Sequence, residues 1–159
     1  MVMADTIRLQ CLNALKGVLE ALVAGQQPGD PYSVQFTKVA IGPLGDTDHR
    51  KRFVAGIVPG RERKRPYTYP LEECTLPVAV EFRMTVNADD DEPGVEAERL
   101  LGELQRKLHE DTTLGGLAVD VRETGNEIVL DLYDDRTVTG DIFLELIYRH
   151  RADDPRQPV

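Results

Sequence analysis

TLPVAVEFRMTVN, residues Thr75 to Asn87, carries the clearest alternation in the chain. Leu76, Val78, Val80, Phe82, Met84 and Val86 alternate with Pro77, Ala79, Glu81, Arg83 and Thr85. A period of two sends the apolar set to one face of a strand and the rest to the other, so the sheet containing it has one buried face. Whatever covers that face must come from the flanking sequence.

Downstream, ADDDEPG at 88–94 breaks the strand. Asp91 or Glu92 can cap a helix there, Pro93 suits its first turn, and the acids favour its positive end. The helix is predicted to run to about Glu110 with Leu101, Leu104 and Leu108 inward. Beyond it, Leu117, Val119 and Val121 read as a strand, Gly125-Asn126 as a hairpin turn, and Ile128, Leu130 and Leu132 as its partner. Val138 to Tyr148 forms the last strand, and RADDPRQPV is a polar tail expected to fray.

Upstream, residues 6–24 place Ile7, Cys11, Leu15, Val18 and Leu22 at steps of three and four, one face of a helix that Asp5 can cap and Gly25 can end. A strand follows at Tyr32 to Ile41, with a bulge near Lys38 to reconcile its two phases. Phe53 to Val58 is a short second strand. The polar PGRERKRPYTYP after it has no apolar rhythm and reads as a loop or extended arm. These elements predict one α+β domain over residues 1–151, with a mainly antiparallel sheet, two helices packed on one face and the order α-β-β-β-α-β-β-β. The basic loop or arm spans 59–70 and the polar tail 152–159.

With 159 residues at 41% hydrophobic and 30% charged, the chain has the make-up of a single ordinary domain. It holds no apolar run long enough to span a bilayer, and MVMADTIRLQ lacks the basic and apolar blocks of a secretory signal, so a cytoplasmic site of synthesis and residence is expected. Cys11 and Cys74 belong to no CxxC pair and read as buried thiols. The formal charge of −9 argues against a broad nucleic-acid-binding face. Its distribution is uneven: between Asp46 and Pro66 seven bases face three acids, a local +4 that leaves −13 for the remainder.

DTTLGGL at 111–117 has the glycines of a phosphate loop, but it follows a helix instead of opening one, and it lacks a lysine. A connector whose Gly115 or Gly116 takes a positive φ fits better. The acids of Asp89 to Glu92 and Asp134-Asp135 have no further ligands at metal spacing and read as a helix cap and a turn. His49, His109 and His150 are scattered among charged neighbours and are expected to be exposed, and Ser33 lies in no nucleophile elbow. No catalytic, metal or cofactor site is therefore predicted, and the chain reads as no enzyme.

The amphipathic N-terminal helix, LPVAVEFRMTV, the helix VEAERLLGELQRKLHED, TTLGGLAVDV and the closing GDIFLELIYRHRADDP together resemble the tail terminator proteins of long-tailed bacteriophages. The resemblance spans nearly the whole chain and departs at the basic insertion, 59–70. It implies a virion protein of the tail or neck, assembled in the bacterial cytoplasm, that caps the tail tube as a ring, commonly a hexamer. Its partners would be further copies of itself, the tail tube protein and the head-tail connector or neck proteins. A neighbouring ring protein, such as a head-completion stopper or tube subunit, shares this character, and a small cytoplasmic ligand-binding domain is the rival from another class. Six chains would carry six times −9, or −54, which suits a bore through which double-stranded DNA slides without specific binding. On this reading Arg50, Lys51, Arg52, Arg61, Arg63, Lys64 and Arg65, with Tyr67 and Tyr69, form an arm that docks on acidic surface of the adjacent subunit or ring. A solvated loop is the plainer alternative.

Overall fold

The computed structural model describes residues 4–22, 36–45, 53–85, 92–130 and 137–157. Its elements are α1 (Ile7–Glu20), β1 (Lys38–Ile41), β2 (Phe53–Pro59), β3 (Arg63–Pro66), β4 (Leu71–Thr85), α2 (Pro93–Leu108), β5 (Asp120–Leu130) and β6 (Thr137–Arg151). One sheet runs β1-β2-β4-β6-β5, and β3 adds to β4 beyond the end of β2. Only β1 and β2 are parallel; every other pair is antiparallel.

β4 is the spine, as its alternation requires. It pairs with β6 from Leu71↔Arg151 to Thr85↔Thr137. Cys74, Leu76, Val78, Val80, Phe82 and Met84 are all buried, and β6 answers with Val138, Ile142, Leu144, Leu146 and Tyr148 on the same face. α1 and α2 both lie there. α1 contributes Ile7, Cys11, Leu12, Leu15 and Leu19, and α2 contributes Ala97, Leu100, Leu101, Leu104 and Leu108, to a single core cluster. Each large apolar side chain so buried contributes about 1.5–3 kcal/mol over an exposed one. The fold is thus α+β, with two helices on one face of a mostly antiparallel sheet.

Thr6 caps α1, its Oγ1 accepting from the Leu9 amide at 3.2 Å. Asp5, one residue earlier, instead offers its carbonyl to the Gln10 side chain at 3.0 Å. α2 opens with Pro93 after Glu92, whose side chain makes no cap bond, and Asp91 lies outside the described residues. Gly25, the expected stop for α1, lies outside those residues.

Three expectations need correction. The strand order is α-β-β-β-β-α-β-β, because the basic segment forms β3 and the segment after α2 forms two strands instead of three. Gly125-Asn126 is not a turn: β5 continues through it, with a bulge between Glu123 and Gly125. The extra residue lets Val121 and Ile128, which have opposite parity in sequence, face the same side. The polar tail does not fray through Gln157. The Ile7 amide donates to the Pro155 carbonyl at 2.9 Å, Ala152 to Pro70 at 2.8 Å and Arg151 to Gln157 at 3.2 Å, so the tail closes over the start of α1. Of the expected first strand, Lys38–Ile41 is observed, and residues 32–35 lie outside the described set.

Candidate functional site

The basic segment is built into the sheet. β2 and β3 follow one another along the same edge of β4, separated by Gly60, Arg61 and Glu62, so that β2, β3 and β4 form one long hairpin with its tip at Tyr67 to Pro70. β3 has no apolar residue before its final proline, and what fixes it is β4 opposite: Lys64 faces Cys74, Arg65 faces Glu73 and Pro66 faces Glu72. Alternation sends Arg63 and Arg65 to the sheet face away from the helices and Lys64 to the other side.

On the open face Arg65 Nε donates to Glu73 at 2.9 Å, and Arg149 Nε donates to the same carboxylate at 3.0 Å. Glu73 is buried at 7% exposure, and these bonds, that from Arg65 first, hold its carboxyl below the ordinary range against the opposing effect of burial. Arg63 reaches Glu145 at 3.3 Å. The Arg149 guanidinium also lies 3.8 Å from the centre of the Tyr67 ring.

On the helix side Lys64 Nζ lies 3.9 Å from Glu62, 3.8 Å from Glu72 and 3.2 Å from His150 Nε2. His150 Nδ1 is 2.6 Å from the Arg151 carbonyl, an acceptor only, so the ring hydrogen belongs on Nδ1 and Nε2 accepts from the ammonium. The Tyr148 hydroxyl donates to Glu62, and Arg8 of α1 approaches the same carboxylate at 3.9 Å. Burial, then that bond, push the Tyr148 hydroxyl well above its ordinary range; burial likewise raises the Cys74 thiol beside it. A thiol kept protonated and a histidine committed at both nitrogens hold structure here and offer no nucleophile-base pair.

This network corrects one expectation: His150 is 3% exposed, buried by the same alternation that buries Tyr148. His109 is exposed, with Nδ1 2.8 Å from the Gln105 carbonyl, and His49 lies outside the described residues. Both cysteines are free and buried.

Of the predicted interface residues, Arg63, Lys64 and Arg65 are brought together, each within ion-pair distance of an acid of the same chain. Tyr67 and Tyr69 stand at the hairpin tip, 47% and 95% exposed. Arg61 occupies the break between β2 and β3 and is exposed. Arg50, Lys51 and Arg52 lie outside the described residues. The expected arm is therefore a strand and its turn, and the tip is the part left open.

The glycine connector is a turn closed by its own acid. The Asp111 carboxylate accepts from the Thr113 amide at 2.9 Å, the Thr113 hydroxyl at 2.7 Å and the Gly115 amide at 2.8 Å. Gly115 and Gly116 take φ of +70° and +91°, and Leu114 +51°. The amides a phosphate would need are held by an internal anion, and the bond from Thr113 first keeps the Asp111 carboxyl below its ordinary range. Among the described residues no group of three or more His, Cys, Asp or Glu could hold a metal ion, and no helix is long and apolar enough to cross a membrane. Asp134-Asp135 and Asp89 to Asp91 fall outside those residues.

No protein-family model matches the chain, and no curated protein matches its sequence significantly.

Proposed function

We propose that this chain is a structural protein of a long-tailed bacteriophage, a tail terminator that binds the last ring of the tail tube as a ring of its own. It ends tail growth and offers the surface to which the head connector joins. The observation that carries this reading is the layout of the segments that bear the resemblance. The alternating strand, the helix after it, the glycine turn and the closing strand fold as neighbours: β4 pairs with β6 along its whole length, α2 packs on β5 and β6, and the turn leads from α2 into β5. The buried polar groups act in support of this frame, which suits a non-enzymatic role, and neither a cofactor nor a metal is part of the proposal.

A ring of identical subunits needs two unlike patches on each. The hairpin tip, with Tyr67 and Tyr69, supplies one: aromatic rings that bury large area at low entropic cost, with Arg61 exposed further back along the same hairpin. Arg63, Lys64 and Arg65 contribute less than the sequence suggests, since each lies within ion-pair distance of an acid of the same chain. Electron microscopy of particles made without the protein tests the proposal. Overlong or ragged tails are expected. Normal tails on leaking heads would assign the chain to a head-completion stopper instead, and complete infectious particles would remove it from the tail altogether.

A further inference from the structure

The sheet face turned away from the helices changes character along its strands. At the hairpin end, four guanidiniums share few acids. Arg63 and Arg122 lie 3.3 and 3.8 Å from Glu145, Arg65 and Arg149 share Glu73, and Asp120 lies 3.6 Å from Arg122. Midway, Phe143 is 39% exposed and lines a shallow groove with Val58, Pro59, Pro77 and Ala79. At the far end the strand register sets Glu81, Asp141 and Glu127 side by side across β4, β6 and β5. None of these three has a cation within 4.0 Å among the described residues. Among the described residues Glu81 accepts only from the Leu44 amide, at 3.2 Å, and Arg83 turns to the Gly45 carbonyl at 3.5 Å. Burial first, then Glu81 and Glu127, raise the Asp141 carboxyl above its ordinary range.

A face that is cationic at one end, apolar in the middle and anionic at the other complements itself when one copy is turned end for end. We propose that this face docks a second copy of the chain, sheet to sheet, about a two-fold axis that lies between the sheets and crosses the strands at Phe143. The register carries the geometry. Arg122 and Glu145 form one cross-strand row, Glu127 and Asp141 another, and Phe143 lies between them. Rotation about that axis exchanges the two rows while keeping each strand opposite its own counterpart. Arg122 of each copy then comes over Glu127 of the other, Arg63 comes toward the acidic row, and the two Phe143 rings meet at the axis. Asp141 and Glu145 are four residues apart, about 13 Å at a strand's rise, so the charged rows flank the aromatic centre at about 7 Å on either side. Sheets packed in this way lie about 10 Å apart, within reach of arginine and glutamate side chains. Such a contact closes at two subunits and is independent of ring formation.

The test is sedimentation velocity on the full chain, over a range of protein concentrations at low and at high salt. A reversible dimer is expected, weakened by salt. Arg122→Glu and Glu127→Arg should each raise its dissociation constant by about tenfold or more, and the two together should restore it, because the swapped charges again meet across the axis. An intrachain role for Arg122 predicts no such rescue, since its own acids are Asp120 and Glu145. Circular dichroism confirms that each variant is folded. A monomer at all concentrations, or a dimer that neither reversal weakens, overturns the proposal. A six-membered ring unmoved by the reversals also overturns it while leaving the terminator reading standing. Dimers that obey the charge swap but never add to tail tubes uphold the pairing and sink the terminator reading.

Discussion

Replacing Gly140 with alanine probes the packing on which the frame depends. Gly140 lies in β6 opposite Phe82 of β4 and Ile128 of β5. A Cβ there would stand 2.4 Å from Phe82 Cζ, 2.9 Å from Phe82 Cε2 and 2.7 Å from the Glu127 carbonyl oxygen. Ordinary carbon contacts lie at about 3.5–4.0 Å, so the ring would have to retreat by more than about 1 Å. Phe82 is 1% exposed and has nowhere empty to go. The carbonyl belongs to the neighbouring strand and can yield only by parting β5 from β6. Overpacking costs about 1–3 kcal/mol, and two simultaneous conflicts place Gly140→Ala at the top of that range, about 3 kcal/mol. Phe82→Ala alone should cost about 3–5 kcal/mol. In the double variant the ring conflict is gone, so the double should cost less than the sum of the singles by about 1–2 kcal/mol. Urea unfolding read by linear extrapolation measures all three. A Gly140→Ala variant within about 0.5 kcal/mol of the parent, or strict additivity in the double, would refute this packing.

Other consequences concern titration, the glycine turn and the hairpin tip. Because Glu73 titrates below its ordinary value, its contribution to stability is complete above the unfolded carboxyl pKa of about 4.3 and is lost as pH falls through the folded value; Glu73→Gln should flatten the acid limb of a stability-against-pH curve, and an unchanged limb would count against the Arg65 and Arg149 bonds. Burial pushes the Cys11 thiol up to about 12, so the native protein should resist alkylation there at pH 8 and react once unfolded, as mass spectrometry would show. Asp111→Ala should speed amide hydrogen exchange at Thr113 and Gly115 while leaving the β4 core protected. Tyr67→Ala with Tyr69→Ala should leave the melting temperature near that of the parent and weaken addition to tail tubes; undiminished addition would return the tip to a solvated turn.

What the sequence made legible follows from where burial is one-sided. The alternation of 76–84 and the stripes of Leu101, Leu104 and Leu108 were readable because each faces a single core. β3 was not, because Arg-Lys-Arg-Pro carries no apolar period; the available signal was Glu72-Glu73, which meets the bases across the turn at Tyr67 to Pro70. The β5 bulge announced itself in the change of parity between Val121 and Ile128, yet Gly125-Asn126 also has the glycine-first order of a two-residue hairpin turn and prevailed. His150 continues the buried phase of Leu144, Leu146 and Tyr148, so the alternation already buried it even though its neighbours are charged. The pairing of Arg63 with Glu145 and of Lys64 with His150 depends on β6 lying beside β4, which no local pattern states. The same distance in sequence hides the row of Glu81, Asp141 and Glu127.

Whether this chain ends a phage tail, as proposed, can be seen by cryo-electron microscopy of native particles carrying a bulky tag on its C-terminal residue. Extra density is expected as one closed ring between the last tube ring and the head connector, with no tag along the tube. Tag density repeated down the tube, confined to the tail tip or absent from the particle would contradict it.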